Sequence, residues 1–434
     1  MMGRKVAFQT LGCKVNYFES EGVWEKFAAS GYKRVNFNDI ADVYVINTCS
    51  VTNGGDKKSR QNIRRAVRQN QDAVVCVMGC FSQMQPDATL AIEGVDIIIG
   101  TSGRDQLVTL VEKFLKSRQP INTVRDITKE QEFESLAVTK FKNRKRGILK
   151  IQDGCNNFCT FCIIPWARGS VRSEKPEAVL AQARELVSNG HVEIVLTGIH
   201  TGAYGEDFAD YAFADLLAEL VEIKNLLRLR ISSIELSEIT DDVLAVLASS
   251  SKIANHLHIP LQSGSDVILK AMNRKYNIAE FEANIERIRK ALPDVSITTD
   301  IIVGFPAETE EMFAQSLEAV KRIGFSELHV FPYSVRGGTL AAKMSNQVSE
   351  NVKNRRVSEM LTVNEQLGKL YAPQFAGHIL EVIVEKIKDG YAMGHASNYL
   401  NIKFPVTADF SENIVKIKLT KTDYPICEGM IVYE

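Results

Sequence analysis

Three cysteines stand together in QDGCNNFCTFCIIPWARGS, residues 152–170, with the spacing C-x3-C-x2-C at Cys155, Cys159 and Cys162. Three more, Cys13, Cys49 and Cys80, are spread over the first eighty residues. Four thiolates would close a tetrahedral zinc site or saturate a cubane cluster. Three close-set thiolates bind three irons of a 4Fe-4S cluster and leave the fourth iron without a protein ligand, open to a substrate. Zinc would need a fourth ligand. The nearest histidine in sequence is His191, so only a ligand distant in sequence keeps that alternative open. Phe158 and Phe161, between the cysteines, would keep water from the cluster and so tune its potential. Cys76, in the apolar run AVVCVMG, and Cys427, in PICEG, read as structural.

The elements that must position these thiols follow from the apolar pattern. The chain has 434 residues, 45% hydrophobic and 24% charged, enough for two or three globular domains. Residues 1–125 alternate short apolar runs (VAFQT, VYVINT, AVVCVMG, VDIIIG) with amphipathic helices, which predicts a small parallel α/β sheet. Cys13, Cys49 and Cys80 each follow one of these runs. Ligands gather at the carboxyl ends of such strands, so three distant thiols converge on one face. Residues 126–146 are polar, end in KFKNRKR, and read as a basic linker. Residues 147–365 hold six strand-like runs: GILKIQDG, VEIVLTG, LRLRISSIE, HLHIPLQSG, SITTDIIVGFP and ELHVFPYS. Helical patterns separate them, which predicts a partial (β/α)6 barrel, shorter than the closed eight-unit form. The triplet follows the first of these strands. Residues 366–434 carry short alternating strands with turn signals such as DG, which predicts a small antiparallel β-barrel.

Net charge is −1, so any nucleic-acid contact must come from local patches. Lys57, Lys58, Arg60, Arg64, Arg65 and Arg68 fall within one arc of a helix with no acid between them, a stripe suited to phosphate. No apolar run is long enough to cross a bilayer, and MMGRKVAFQT lacks a signal h-region, so a cytoplasmic protein with reduced thiols is expected.

The motifs together carry a resemblance. C-x3-C-x2-C after the first strand of a partial barrel resembles the radical S-adenosylmethionine (SAM) signature. LGCKVNYFESE, NTCSVT, VMGCFSQ, GCNNFCTFCIIPWARG, HLHIPLQSGSD and DIIVGFPAETEE resemble the methylthiotransferases of that superfamily over essentially the whole chain. The ARG after the triplet and VLTGIHTGAYG look like the branch that methylthiolates N6-threonylcarbamoyladenosine at position 37 of tRNA. Other branches act on isopentenyladenosine in tRNA or on a ribosomal-protein aspartate. A non-catalytic two-cluster RNA-binding protein is the alternative from another class. One departure is Ser170 and Glu174, where relatives often carry further arginines.

The resemblance implies two 4Fe-4S clusters, one on Cys155, Cys159 and Cys162 and an auxiliary one on Cys13, Cys49 and Cys80 that carries sulfide or polysulfide. It implies SAM as radical source and methyl donor, with the methylthio group replacing hydrogen on adenine carbon 2. Aromatic C–H bonds offer little acidity, so the cofactor must bring the radical. Implied partners are the tRNA anticodon stem-loop and an electron donor such as flavodoxin or ferredoxin. The last domain resembles the TRAM RNA-binding barrel.

By position at strand ends, Thr197, Gly198, Ser232, Ser233, Glu235, Gln262, Ser263, Asp300, Ile302, Val303 and Gly304 are expected to bind the cofactor. His200, His256 and His258 read as structural. Arg168, Arg172, Tyr399 and Lys403, with Tyr391, join the helical stripe as expected RNA contacts.

Overall fold

The computed structural model describes residues 3–50, 53–142 and 144–433. The first domain is a six-stranded sheet of β1 (Lys5–Thr10), β2 (Lys33–Val35), β3 (Val43–Thr48), β4 (Val74–Gly79), β5 (Ile97–Ile98) and β6 (Ile121–Asn122). Their order is β2-β1-β3-β4-β5-β6, and every pairing is parallel. β3 and β4 are buried along their full length, which is why VYVINT and VVCVMG are nearly continuous apolar runs. β2 and β6 escape the sequence pattern. They are edge strands of three and two residues, too short to show a period.

The second domain is an open arc of six parallel strands: β7 (Arg146–Lys150), β10 (Glu193–Thr197), β11 (Arg228–Ile231), β12 (His256–His258), β13 (Ser296–Val303) and β14 (Glu327–Pro332). Single bridges, Leu229 to Ile253 and Ser233 to His258, join its two three-stranded halves. Between β7 and β10 lies a short antiparallel ribbon, β8 (Gln152–Asp153) with β9 (Arg172–Ser173), which brackets the cysteine triplet. The helix α1 (Lys14–Ala29) packs from the first domain onto β7. Its Phe18 enters the core of the second domain, and Tyr17 stacks on Phe141 at 5.8 Å.

The expected linker is a packed strap. Leu136, Val138 and Phe141 are buried in the core of the second domain, and Glu134 binds the buried Arg104 of the first. Apolar residues every two or three positions anchor it among polar ones, a pattern that composition alone averages away.

The third domain is a closed five-stranded barrel, β15 (Ile379–Lys388), β16 (Tyr391–Ala396), β17 (Asn401–Pro405), β18 (Ile414–Lys421) and β19 (Cys427–Ile431), in the order β15-β16-β17-β19-β18. The pairings are antiparallel apart from β17 with β19. The long helix Glu350–Tyr371 leads into it. The barrel docks where the arc strands begin. Arg228 donates to Glu381 O at 3.0 Å, and Arg230 to Ala396 O and Ser397 O at 3.3 Å. Tyr399 stacks on His256 at 4.6 Å, with the Arg230 guanidinium 5.0 Å from its ring. Tyr399 is thus a seam residue, not a free platform for a base, and this corrects its expected RNA role. Tyr399→Ala should lower stability by about 2 kcal/mol. A denaturation midpoint will show this loss, while tRNA affinity of the folded variant stays within about twofold.

Candidate active site between two cysteine triplets

Cys13, Cys49 and Cys80 follow β1, β3 and β4, which are neighbours in the sheet. Convergence is close. A Cβ on Gly12 would lie 2.9 Å from Cys49 Cβ and 3.0 Å from its Sγ, and Gly12 has φ +96°, so glycine is required there. Asn16, on the first turn of α1, ties the loops together. Its Nδ2 donates to Leu11 O at 2.7 Å and Thr48 O at 3.0 Å, and its Oδ1 lies 3.9 Å from Cys13 Sγ. Cys80 opens the short helix α3 (Cys80–Met84) and is buried.

The second triplet lies in the loop between β8 and β9. Gly154, at φ +79°, turns the chain where a Cβ would strike Ser170 O at 1.8 Å, and Cys155 N donates to Gly169 O at 3.0 Å. Cys162 N donates to Cys159 O, and Ile164 N approaches Cys162 Sγ at 3.5 Å. Burial pushes the Cys162 thiol up to about 12. A buried thiol of that kind resists ionising by itself, and a bound metal removes its proton.

Arg274 and His200 complete the surroundings of this triplet. Arg274 Nη1 reaches Cys159 Sγ at 3.5 Å and Glu235 Oε1 at 3.1 Å. His200 touches the Cys155 thiol, and its Nε2 lies 2.5 Å from Glu238 Oε1. Burial disfavours the charged imidazole, but Cys155 and Glu238 outweigh it and raise His200 to about 11. Arg274 is absent from the sequence reading, since MNRKYN carries no motif. Nothing short of the fold places it beside a cysteine more than a hundred positions earlier.

A cavity of about 230 Å³ opens beside Cys162, lined by Phe161, Gln262, Asp300, Ile302, Phe331 and Tyr333 among others. Gln262, Asp300 and Ile302, three of the residues expected to bind the cofactor, thus line one cavity. Burial would raise the Asp300 carboxyl, but hydrogen bonds from His258 and His329 hold it well below the usual range. Those three residues form a compact group, Asp300 Oδ1 lying 3.2 Å from His258 Nε2 and 3.3 Å from His329 Nδ1. His258 therefore faces this group in addition to its bond with Thr298.

Other expected cofactor residues do different work. Ser263 is fully buried and faces Ser316 at 3.4 Å. Val303 belongs to the core, and Gly304 abuts Lys353, with its N–H bound by Glu308 at 2.6 Å. Alternation along β13 turns Val303 away from the face that carries Asp300 and Ile302. Thr197 is buried at the end of β10, with its carbonyl accepting from Ile151 N. Gly198 packs on Gln152, Ser232 bonds Thr201 at 3.1 Å, and Ser233 is exposed. Glu235 serves Arg274, as described.

A buried ionic hub joins α1 and the strap to the residues that flank the second triplet. Glu19, Asp153 and Glu134 meet Arg104, Lys150 and Arg168, with Arg168 Nη1 to Glu19 at 2.5 Å and Lys150 Nζ to Asp153 at 2.6 Å. Arg168 is completely buried, and Arg172 spends its guanidinium on Ser170 O and Arg168 O at 2.9 and 2.8 Å. Neither reaches RNA, which corrects both expectations. Their place beside cysteines in sequence signalled proximity to the site but not which way they point.

The helix α2 (Asn53–Gln69) presents Lys57, Lys58, Arg64, Arg65 and Arg68 outward, while Arg60 lies over the Phe81 ring at 5.3 Å. Lys403 and the exposed Tyr391 pair at 4.2 Å on the barrel surface. Among the described residues no helix is long and apolar enough to cross a membrane.

Comparison with known proteins fits this geometry. Residues 149–320 match the radical SAM superfamily, and residues 5–100 match an uncharacterized protein family, UPF0004. The threonylcarbamoyladenosine tRNA methylthiotransferase MtaB of Bacillus subtilis is 53% identical over 98% of this chain and 96% of its own length. The chain belongs to the radical SAM tRNA methylthiotransferases. A tRNA-2-methylthio-N(6)-dimethylallyladenosine synthase of Carboxydothermus hydrogenoformans is 36% identical over 98% of both chains. In fold, this methylthiotransferase is similar to the radical SAM methyltransferase TsrM of Kitasatospora setae, with TM-score 0.57 and 14% identity over 90% of this chain and 78% of that one. The methylthiotransferase is therefore an enzyme that transfers methylthio groups and uses a 4Fe-4S cluster with SAM.

Proposed function

We propose that this methylthiotransferase converts N6-threonylcarbamoyladenosine at position 37 of tRNA to its 2-methylthio derivative. The observation that carries the reading is the likeness to the Bacillus subtilis enzyme over nearly the full length of both chains.

In this proposal Cys155, Cys159 and Cys162 would hold one 4Fe-4S cluster beside SAM, and Cys13, Cys49 and Cys80 would hold a second that carries sulfide or polysulfide. The thiol sets fit: each has three cysteines on loops turned by glycines such as Gly12 and Gly154, with Cys80 and Cys159 buried and the remaining thiols open to a ligand. When bound, the groups supply a carbon-centred radical and a transferable methylthio group. The chain's own residues shape the rest. Arg274 directs its charge at Cys159, Phe161 and Ile302 keep the cavity apolar, and Gln262 and Asp300 offer it polar groups. Excluding water protects a radical from side reactions. The division at 1–125, 126–146, 147–365 and 366–434, a cytoplasmic setting and a flavodoxin- or ferredoxin-type donor belong to the same proposal.

The α2 stripe with Lys403 and Tyr391 would meet the anticodon stem-loop. Replacing Arg64, Arg65 and Arg68 together by Ala should weaken tRNA binding and reduce the salt slope of log K by about 2 to 3, one increment per lost phosphate contact. Filter binding across a salt series will show it.

The substrate is tested by expressing the protein in a bacterium that lacks its own tRNA methylthiotransferases and digesting its tRNA for nucleoside mass spectrometry. The expected product is 2-methylthio-N6-threonylcarbamoyladenosine. Appearance of 2-methylthio-isopentenyladenosine instead would overturn the substrate assignment and keep the chemistry.

A further inference from the structure

Arg168 has one hydrogen-bond donor that no described residue accepts. Its Nη1 serves Glu19 Oε1 at 2.5 Å and Asp153 Oδ2 at 3.2 Å, and its Nη2 serves Asn16 Oδ1 at 2.6 Å and Glu19 Oε2 at 3.2 Å. Its Nε is buried and has no acceptor among the described residues. Leaving a buried donor unpaired is costly, and more so for a charged group, so an orphan of this kind calls for an explanation.

The surroundings supply one. Asn16, which Arg168 grips, anchors the Cys13 and Cys49 loops and lies 3.9 Å from Cys13 Sγ. The Ala167 carbonyl accepts from Thr101 Oγ1 at 2.6 Å, which holds this segment against the first domain, where α3 packs on the helix Ile164–Arg168. The side chains of Cys80 and Cys13 both lie near enough to this guanidinium to feel its charge.

We infer that Arg168 is the counter-ion and hydrogen-bond donor for the iron–sulfur group on Cys13, Cys49 and Cys80, with Nε–H directed at the sulfur those cysteines hold. This rests on the proposed second cluster. Arg168 is then a positioning and tuning residue. A cation and an N–H···S bond both stabilise the more negative, reduced state and raise the potential. It also sits six residues past Cys162, so one segment carries the thiols of the first site and the counter-ion of the second.

The test uses the full-length chain with Cys155, Cys159 and Cys162 changed to Ala, reconstituted with iron and sulfide without oxygen. Iron analysis comes first, with about four irons per chain expected. A chain that takes up none overturns both the second cluster and this inference. In the loaded protein, EPR-monitored titration of R168Q should show a reduced-to-oxidised ratio at least tenfold lower at fixed potential, about 59 mV for one electron. R168K, which keeps charge but loses Nε–H, should fall between R168Q and the parent. Lys150→Met, in the same hub but without a contact to these cysteines, should move the ratio by less than half as much. An unchanged R168Q, or an equal shift in Lys150→Met, would overturn the inference. Pulsed EPR of the same Cys155, Cys159 and Cys162 to Ala chain labelled with 15N-arginine, where Arg274 has no cluster beside it, needs no change at Arg168: a 15N coupling to the remaining cluster is expected, and its absence refutes the hydrogen bond.

Discussion

Changing Cys13, Cys49 and Cys80 together to Ala is expected to leave SAM cleavage running and to abolish methylthiolation. The two triplets sit on separate elements. Cys155, Cys159 and Cys162 lie in one loop of the arc, with Arg274, His200 and the cavity beside Cys162. None of those neighbours comes from the first domain. Removing three thiols from the sheet loops therefore spares the first site's own partners. It removes the only place where the proposed sulfur donor is held. The measurement is liquid chromatography of reactions under reducing conditions. 5′-Deoxyadenosine should persist within about threefold of wild type, while the methylthio product falls by at least a thousandfold. Loss of both products in a folded, iron-loaded variant would show that the division of labour is wrong.

Glu19→Gln is expected to destabilise the junction between the domains by about 3–5 kcal/mol, the cost of breaking a buried ion-pair network on one side. Glu19 is fully buried against Arg104, Lys150 and Arg168. Burial pushes its carboxyl up, but Arg104, Arg168 and Lys150 prevail and hold it at about 2, against an ordinary 4.5. A folded value below the unfolded one stabilises the protein wherever the carboxylate is ionised in both states. That contribution is complete above about 4.5 and is lost as pH falls toward about 2. The gap between wild type and Glu19→Gln should accordingly be widest at pH 7 and narrow below about 4.5. Denaturant midpoints across that range will check it. A gap that grew on acidification would contradict the assignment of Glu19 as the ionised centre of the hub.

The same hub explains where reading the sequence stopped. Arg168 and Arg172 stand in RGSVR, and a basic pair beside an active-site loop looks like an RNA contact. Whether a guanidinium faces solvent or a buried Glu19 149 positions away depends on how α1 crosses β7. No local pattern carries that. Tyr399 is similar, an aromatic in a small barrel whose exposed side is consumed by the seam with His256 and Arg230. The strap is a third case, since its anchors Leu136, Val138 and Phe141 need a partner core before they mean anything.

By itself the sequence determined the three architectures and the radical SAM triplet of Cys155, Cys159 and Cys162. Strand burial on both faces writes continuous apolar runs, barrel strands alternate with helices, and a three-thiol spacing is specific chemistry. It also placed the cationic stripe of α2, because helical period alone puts those residues on one side. Tertiary structure decided which strand-end residues face the cavity. Asp300 and Ile302 do and Val303 does not, a matter of pleat along β13. It decided too that Arg274 and His200 attend the first triplet and that Arg168 attends the second. Contacts between residues a hundred positions apart arise from packing, and packing depends on all the elements at once.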